Sequence, residues 1–193
     1  MLKGPPLDHL GSKRKACALS HGLVRKIFSI ALCAVMPFAH GGTTFDDWEA
    51  GVTDDGKTFY AFTLNDSGSV FGEWCYASAG KCFWMIGMET GCETESSYPV
   101  LANTEALASP LSIKCGGKVT DTQLSRYQFE DYKSLEALLK GAHHIGFAFP
   151  MQSDQFKVVR FSLTGSTRAV GAMEAAIAKV LKPKGKDTRD TVL

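Results

Sequence analysis

Residues 25–42, RKIFSIALCAVMPFAHGG, carry the pattern of a bacterial export leader. Arg25 and Lys26 form the positive start, residues 27–35 the apolar stretch, and Pro37, Phe38, Ala39, His40 and Gly41 the small-residue exit. The apolar run is shorter than the roughly 20 residues that a membrane-crossing helix needs. A chain led this way is expected in the periplasm or secreted, where thiols oxidise. That expectation constrains the fold more than any other feature, because it turns cysteines into cross-links.

The leader also reshapes the charge. Residues 1–42 hold six basic side chains (Lys3, Lys13, Arg14, Lys15, Arg25, Lys26) and one acid, Asp8. Without them, 15 basic and 19 acidic residues remain, so the formal charge moves from +1 to about −4. A mildly acidic chain offers no electrostatic case for nucleic acid or an anionic membrane. The segment before Arg25 exceeds an ordinary leader start. Two readings stay open: an over-extended start, with translation beginning at Val24 as a misread GTG codon, or a genuine extension charged by Lys13, Arg14 and Lys15. Cys33 follows Leu32 rather than a small residue, which argues against a lipid anchor.

Beyond the leader stand Cys75, Cys82, Cys92 and Cys115. Four cysteines permit three pairings. Ala77, Ser78, Ala79 and Gly80 read as a turn between two apolar runs, and a four-residue loop there opposes Tyr76 to Lys81 and Cys75 to Cys82. Opposed strand residues lie within or near disulfide reach. The expected bonds are therefore Cys75–Cys82 and, by remainder, Cys92–Cys115. Zinc motifs keep cysteines in close pairs two to four residues apart, which this spacing does not provide. No Cys-x-x-Cys redox pair is present either.

Strand signals dominate the middle of the chain. Asp55-Gly56 and Asn65-Asp66-Ser67-Gly68 mark turns. Between them residues 58–64 alternate, with Tyr60, Phe62 and Leu64 on one face and Phe59, Ala61 and Thr63 on the other. Further strands are expected at 70–76, 82–88, 98–102, 111–115, 126–130, 145–149 and 156–163. The third and fourth of these are separated by Ser109-Pro110, and Gly116-Gly117 closes the fourth. Leu135, Leu138 and Leu139 recur at helical spacing over 133–140, with Ser134 as cap and Gly141 as stop. A second helix over about 168–181 presents Val170, Met173, Ile177, Val180 and Leu181, with Ser166 or Thr167 as cap.

The expected fold is β-rich α+β: an antiparallel β-sandwich or barrel-like domain with two short helices in its C-terminal half. It is expected to occupy residues 43–181 as one disulfide-stapled domain, after a leader of residues 1–42 (core 25–41). Residues 182–193, with Lys182, Lys184, Lys186 and Arg189, read as a disordered charged tail. The final Thr191, Val192 and Leu193 are read as part of it.

Chemistry-bearing patterns are sparse. His143 and His144 are the histidines beyond the leader, and neighbours on a strand point to opposite faces. They are read as structural, with a metal or general-base role as the rival. Asp46, Asp47, Glu49, Asp54 and Asp55 cluster without the fixed alternation of a calcium loop. Gly165-Ser166 lacks the Gly-x-Ser-x-Gly context of a hydrolase nucleophile. Trp74, Tyr76, Phe83 and Trp84 crowd the cysteine hairpin. They read as core, or, on an exposed face, as a binding surface formed by Trp74, Tyr76 and Trp84. No catalytic, cofactor or metal residues are assigned.

The run Ser134-Leu135-Glu136-Ala137-Leu138-Leu139-Lys140-Gly141, a strand, then Phe161-Ser162-Leu163-Thr164-Gly165 before an Ala-rich helix resembles the invasion-associated locus B family. Ser166 stands where that family usually places an aromatic. The resemblance covers about 50 residues and implies an exported β-rich module linked to the envelope or a host, with no catalytic residues to carry over. The functional expectation is a non-enzymatic exported binding module with a protein partner. The alternatives are a periplasmic immunity or inhibitor protein against a toxin or hydrolase, and an enzyme using His143 or His144.

Overall fold

A computed structural model describes residues 42–119, 122–151 and 155–181. The expected leader and charged tail lie outside the described residues, apart from Gly42. Ten strands and two helices follow the order β1 (Thr43–Phe45), β2 (Trp48–Val52), β3 (Thr58–Leu64), β4 (Val70–Tyr76), β5 (Lys81–Met88), β6 (Ser97–Asn103), β7 (Ala108–Lys118), β8 (Ser125–Phe129), α1 (Tyr132–Leu139), β9 (His144–Pro150), β10 (Phe156–Ser162) and α2 (Ser166–Leu181). All strands join one antiparallel sheet in the order β1-β2-β3-β4-β5-β8-β7-β6-β9-β10. The fold is thus β-rich α+β, built on one curved, unclosed sheet rather than two stacked ones.

Phe71 on β4 shows the curvature. Its ring lies 5.3 Å from Phe147 on β9 and 5.4 Å from Phe161 on β10, strands far away in sheet order. Trp48, Trp84 and Phe129 complete the cage around it. Alternation selects this inner set: Phe59, Ala61, Phe71, Cys75, Trp84, Ile86 and Met88 all join the main core. Both helices contribute to the same core, α1 with Leu135 and Leu138, α2 with Ala169, Met173 and Ile177. On the outer face of β3–β5 a second cluster forms from Val70, Trp74 and Met85, flanked by Tyr60, Phe62, Phe83 and Leu124. Gly72 lets β3 and β4 approach there, since a Cβ at that position would stand 2.2 Å from the Ala61 carbonyl oxygen.

Several boundaries differ from the sequence expectation. β7 runs through both Ser109-Pro110 and Gly116-Gly117. Pro110 is tolerated because pairing with β8 begins only at Ile113, so its missing N–H faces no ladder. At the other end a register shift between Cys115 and Lys118, with Gly117 at φ 79°, absorbs the glycine pair as a bulge. The cap of α1 is Asp131, whose carboxylate accepts from the Ser134 amide at 3.2 Å and the Ser134 hydroxyl at 2.6 Å. Ser134 is therefore the capped residue. Ser166 is the first residue of α2, and Gly165 at φ 91° makes the turn into it. α2 spans 16 residues, longer than expected.

Candidate functional site

β10 is the last strand of the sheet, and its far side pairs with no other strand among the described residues. One end of this seam is shut. The Trp48 indole N–H donates to the Ser162 carbonyl at 2.9 Å, and the Asp47 amide donates to the Thr164 carbonyl at 3.3 Å. The Ser162 hydroxyl donates to the Asp47 carboxylate at 2.6 Å. The other end stands open as a cleft of about 390 Å³ between the β3–β4 turn and residues 157–160 of β10.

The turn wall is pre-shaped. Asn65 accepts from the amides of Ser67 at 3.1 Å and Ser69 at 2.9 Å, which holds residues 65–69 in place. Asp66, Glu89, Lys157 and Arg160 are the charged residues that line the cleft. Lys157 also donates to the Thr90 hydroxyl at 2.8 Å. On the outer face the strand is apolar and exposed: Phe156 is 69% and Val158 43% accessible. Register carries the row across the sheet, from Val158 to Ala148 to Leu101, which is itself exposed. An unpaired strand edge beside a polar cleft, backed by exposed apolar side chains, is suited to accept an extended peptide.

The cysteine hairpin has the expected register, Cys75 opposite Cys82 and Tyr76 opposite Lys81. Cys75 bonds Cys82 across the hairpin, and Cys92 bonds Cys115, tying the exit of β5 to β7. The aromatic trio does not form one exposed surface. Trp84 faces inward beside Phe71 and Trp48, whereas Trp74 faces outward and is covered by Phe62 stacked at 6.3 Å. Tyr76 is half-buried against Phe83 at 5.2 Å. The reason is pairing: Trp74 is opposite Phe83 and Trp84 opposite Glu73, so the two tryptophans belong to opposite faces.

Glu73 was not singled out by the sequence reading. It points inward, is 6% accessible, and makes no hydrogen bond or ion pair among the described residues. Burial, reinforced by the charges of Glu174 on α2 and Glu136 on α1, raises its pKa to about 7. Its carboxylate oxygen and the sulfurs of Cys75 and Cys82 lie within 4.8 Å of one another. The sulfurs are bonded to each other, so they are not a thiolate ligand set. Opposite Glu73, the buried Trp84 indole N–H has no hydrogen-bond partner among the described residues. The signal for this site was a charged residue inside Val70–Tyr76, a strand otherwise free of charge.

The histidines occupy the rim. His144 Nδ1 lies 3.0 Å from the Glu105 carboxylate, and the His143 amide donates to the same carboxylate at 3.3 Å. Both are exposed, and both meet Glu105 in the loop between β6 and β7. The acidic cluster is dispersed: Asp46 pairs with Arg168, Asp47 holds Ser162, Glu49 accepts from the Tyr60 hydroxyl at 3.4 Å, and Asp55 caps its own turn through Thr53 and Lys57. Hydrogen bonds from Thr53 and Lys57 hold the Asp55 carboxyl below its usual range. No helix among the described residues is long and apolar enough to cross a membrane.

No protein-family model and no curated protein matches the chain. Its fold does match a solved structure, the crystal structure of invasion associated protein b from Bartonella henselae. The TM-score is 0.50 at 13% identity, covering 70% of this chain and 96% of that one. At that identity the likeness is one of fold, and it agrees with the resemblance read from the C-terminal half.

Proposed function

We propose that this chain is an exported, non-enzymatic binding module that takes an extended segment of a partner protein along β10. The single observation that carries this reading is the open half of the seam: a seven-residue strand with an unpaired edge beside a cleft of about 390 Å³. Main-chain pairing to that edge would supply affinity, and side chains of the peptide would sort between the polar cleft and the apolar row of Leu101, Val158 and Phe156. The two disulfides and the leader pattern of residues 25–42 support a location in the periplasm or outside the cell. The neighbour's name, invasion associated protein b, fits a module working at the envelope or on a host target.

A photo-crosslinking amino acid at position 158, in the full chain expressed in its native cell, tests this reading. One discrete protein adduct at 158, and none from the same probe at exposed Tyr132 on α1, is expected. Adducts from 132 but not 158 would move the binding surface elsewhere. A partner that proves to be a toxin or hydrolase would make the module its inhibitor. Fractionation with mass measurement of the exported form checks location and the processing site together.

A further inference from the structure

The hairpin of β4 and β5 places three reactive groups together. Cys75 is fully buried, Cys82 is exposed, and the Glu73 carboxylate lies within 4.8 Å of both sulfurs. Thiol–disulfide exchange requires an accessible sulfur for the incoming thiolate and a way to stabilise the sulfur that leaves. An apolar, buried thiol holds its proton strongly, so a departing Cys75 thiolate needs one at once. A carboxyl group within reach is the group to provide it. The Cys92–Cys115 bond is built differently: Cys92 is half-buried, Cys115 is buried, and no carboxylate or imidazole among the described residues approaches both sulfurs as Glu73 does here.

We propose that Cys75–Cys82 is a thiol-exchange site in which an external thiolate attacks Cys82 Sγ, Cys75 leaves, and Glu73 delivers the proton that neutralises it. The attack forms a bond between the external sulfur and Cys82 and breaks the Cys82–Cys75 bond. The Cys75 thiolate takes the Glu73 proton, leaving a thiol and a carboxylate. When the reductant is a dithiol, its second thiolate attacks the external sulfur of the mixed disulfide, and Cys82 leaves to be protonated by solvent. The dithiol is oxidised by two electrons to its disulfide, and the cysteine pair is reduced by the same two. The groups facing Glu73 from the packed helices are Glu136 on α1 and Glu174 on α2, and both disfavour its ionisation. With the pKa raised to about 7, Glu73 keeps a transferable proton near neutrality.

The test uses the oxidised full chain, a dithiothreitol pulse, acid quench, alkylation and mass spectrometry of each cysteine pair. Cys75–Cys82 is expected to open more than roughly tenfold faster than Cys92–Cys115, a modest share of the roughly 10²–10⁴ that positioned proton transfer typically contributes. Divided by thiolate concentration, its rate constant is expected to fall as pH rises through about 7, and Glu73→Gln should flatten that profile. With glutathione as probe, the adduct should sit on Cys82. Equal opening of the two bonds, an adduct on Cys75, or a flat profile in the unmodified protein would each overturn the assignment. Should Glu73→Gln loosen the fold, Cys92–Cys115 would accelerate in parallel, and the unmodified protein's profile then decides alone.

Discussion

Glu73→Gln is the substitution that most directly probes the interior. A carboxylate raised from 4.5 to about 7 is costly to ionise in the folded state, since each tenfold change in proton affinity is worth about 1.4 kcal/mol. The cost of the charge above neutrality is therefore capped at about 3 kcal/mol, and residual solvent contact lowers the expected value to about 2 kcal/mol. The raised pKa sets the sign. The stability linked to Glu73 is fully present below 4.5 and is lost as pH rises through about 7. Gln cannot ionise, so the variant should gain on the parent as pH rises. Urea unfolding of both oxidised proteins at pH 5 and pH 8 measures this without needing Gln to pack perfectly, because its packing cost is common to both pH values. The expected change in the difference is about 2 kcal/mol, or roughly 4–8 °C in Tm for a domain of this size. A stability difference identical at the two pH values would refute the reasoning and place Glu73 in contact with water.

Gly165→Ala should cost more than about 3 kcal/mol, because φ is 91° and the added Cβ would stand 1.8 Å from the Phe45 carbonyl oxygen; chemical unfolding measures it. Phe71→Ala should cost about 3–5 kcal/mol by the same assay, since it empties the space that five aromatic neighbours surround. Replacing Cys92 and Cys115 by Ser should cost about 3 kcal/mol, seen as a lower midpoint in urea, with Cys75–Cys82 still formed on mass analysis.

What could be read from the chain was what neighbouring residues decide. The Ala77–Gly80 turn sets the hairpin register by its length, and so opposes Cys75 to Cys82. Leucine spacing gives α1 its inner face, and alternation gives β3 its two faces. The order in which β8, β7 and β6 insert beyond β5 depends on pairings between distant segments, which no local pattern encodes. The opposite faces of Trp74 and Trp84 follow from the hairpin register itself, which sets Trp74 against Phe83 and Trp84 against Glu73. Glu73 was hidden because a glutamate ordinarily signals a solvent-facing position, and only the folded sheet, with its helices packed inside, makes it an interior one. The open half of the seam was illegible because being an edge is a property of the whole sheet. The alternation of Phe156, Val158 and Arg160 reads equally as a central strand.

The bridge between Cys92 and Cys115 also acts on the search for the native sheet. For β5 to meet β8, Met88 must find Ser125, which encloses the entire β6–β7 hairpin in the intervening chain. Once the sulfurs are joined, the path between those partners shortens from 37 residues to about 15. Loop-closure entropy then eases by on the order of 1 kcal/mol at the step that unites the two halves of the sheet. Oxidised chains should therefore refold several-fold faster than reduced ones, making the bridge an accelerator of assembly as well as a lock on its product.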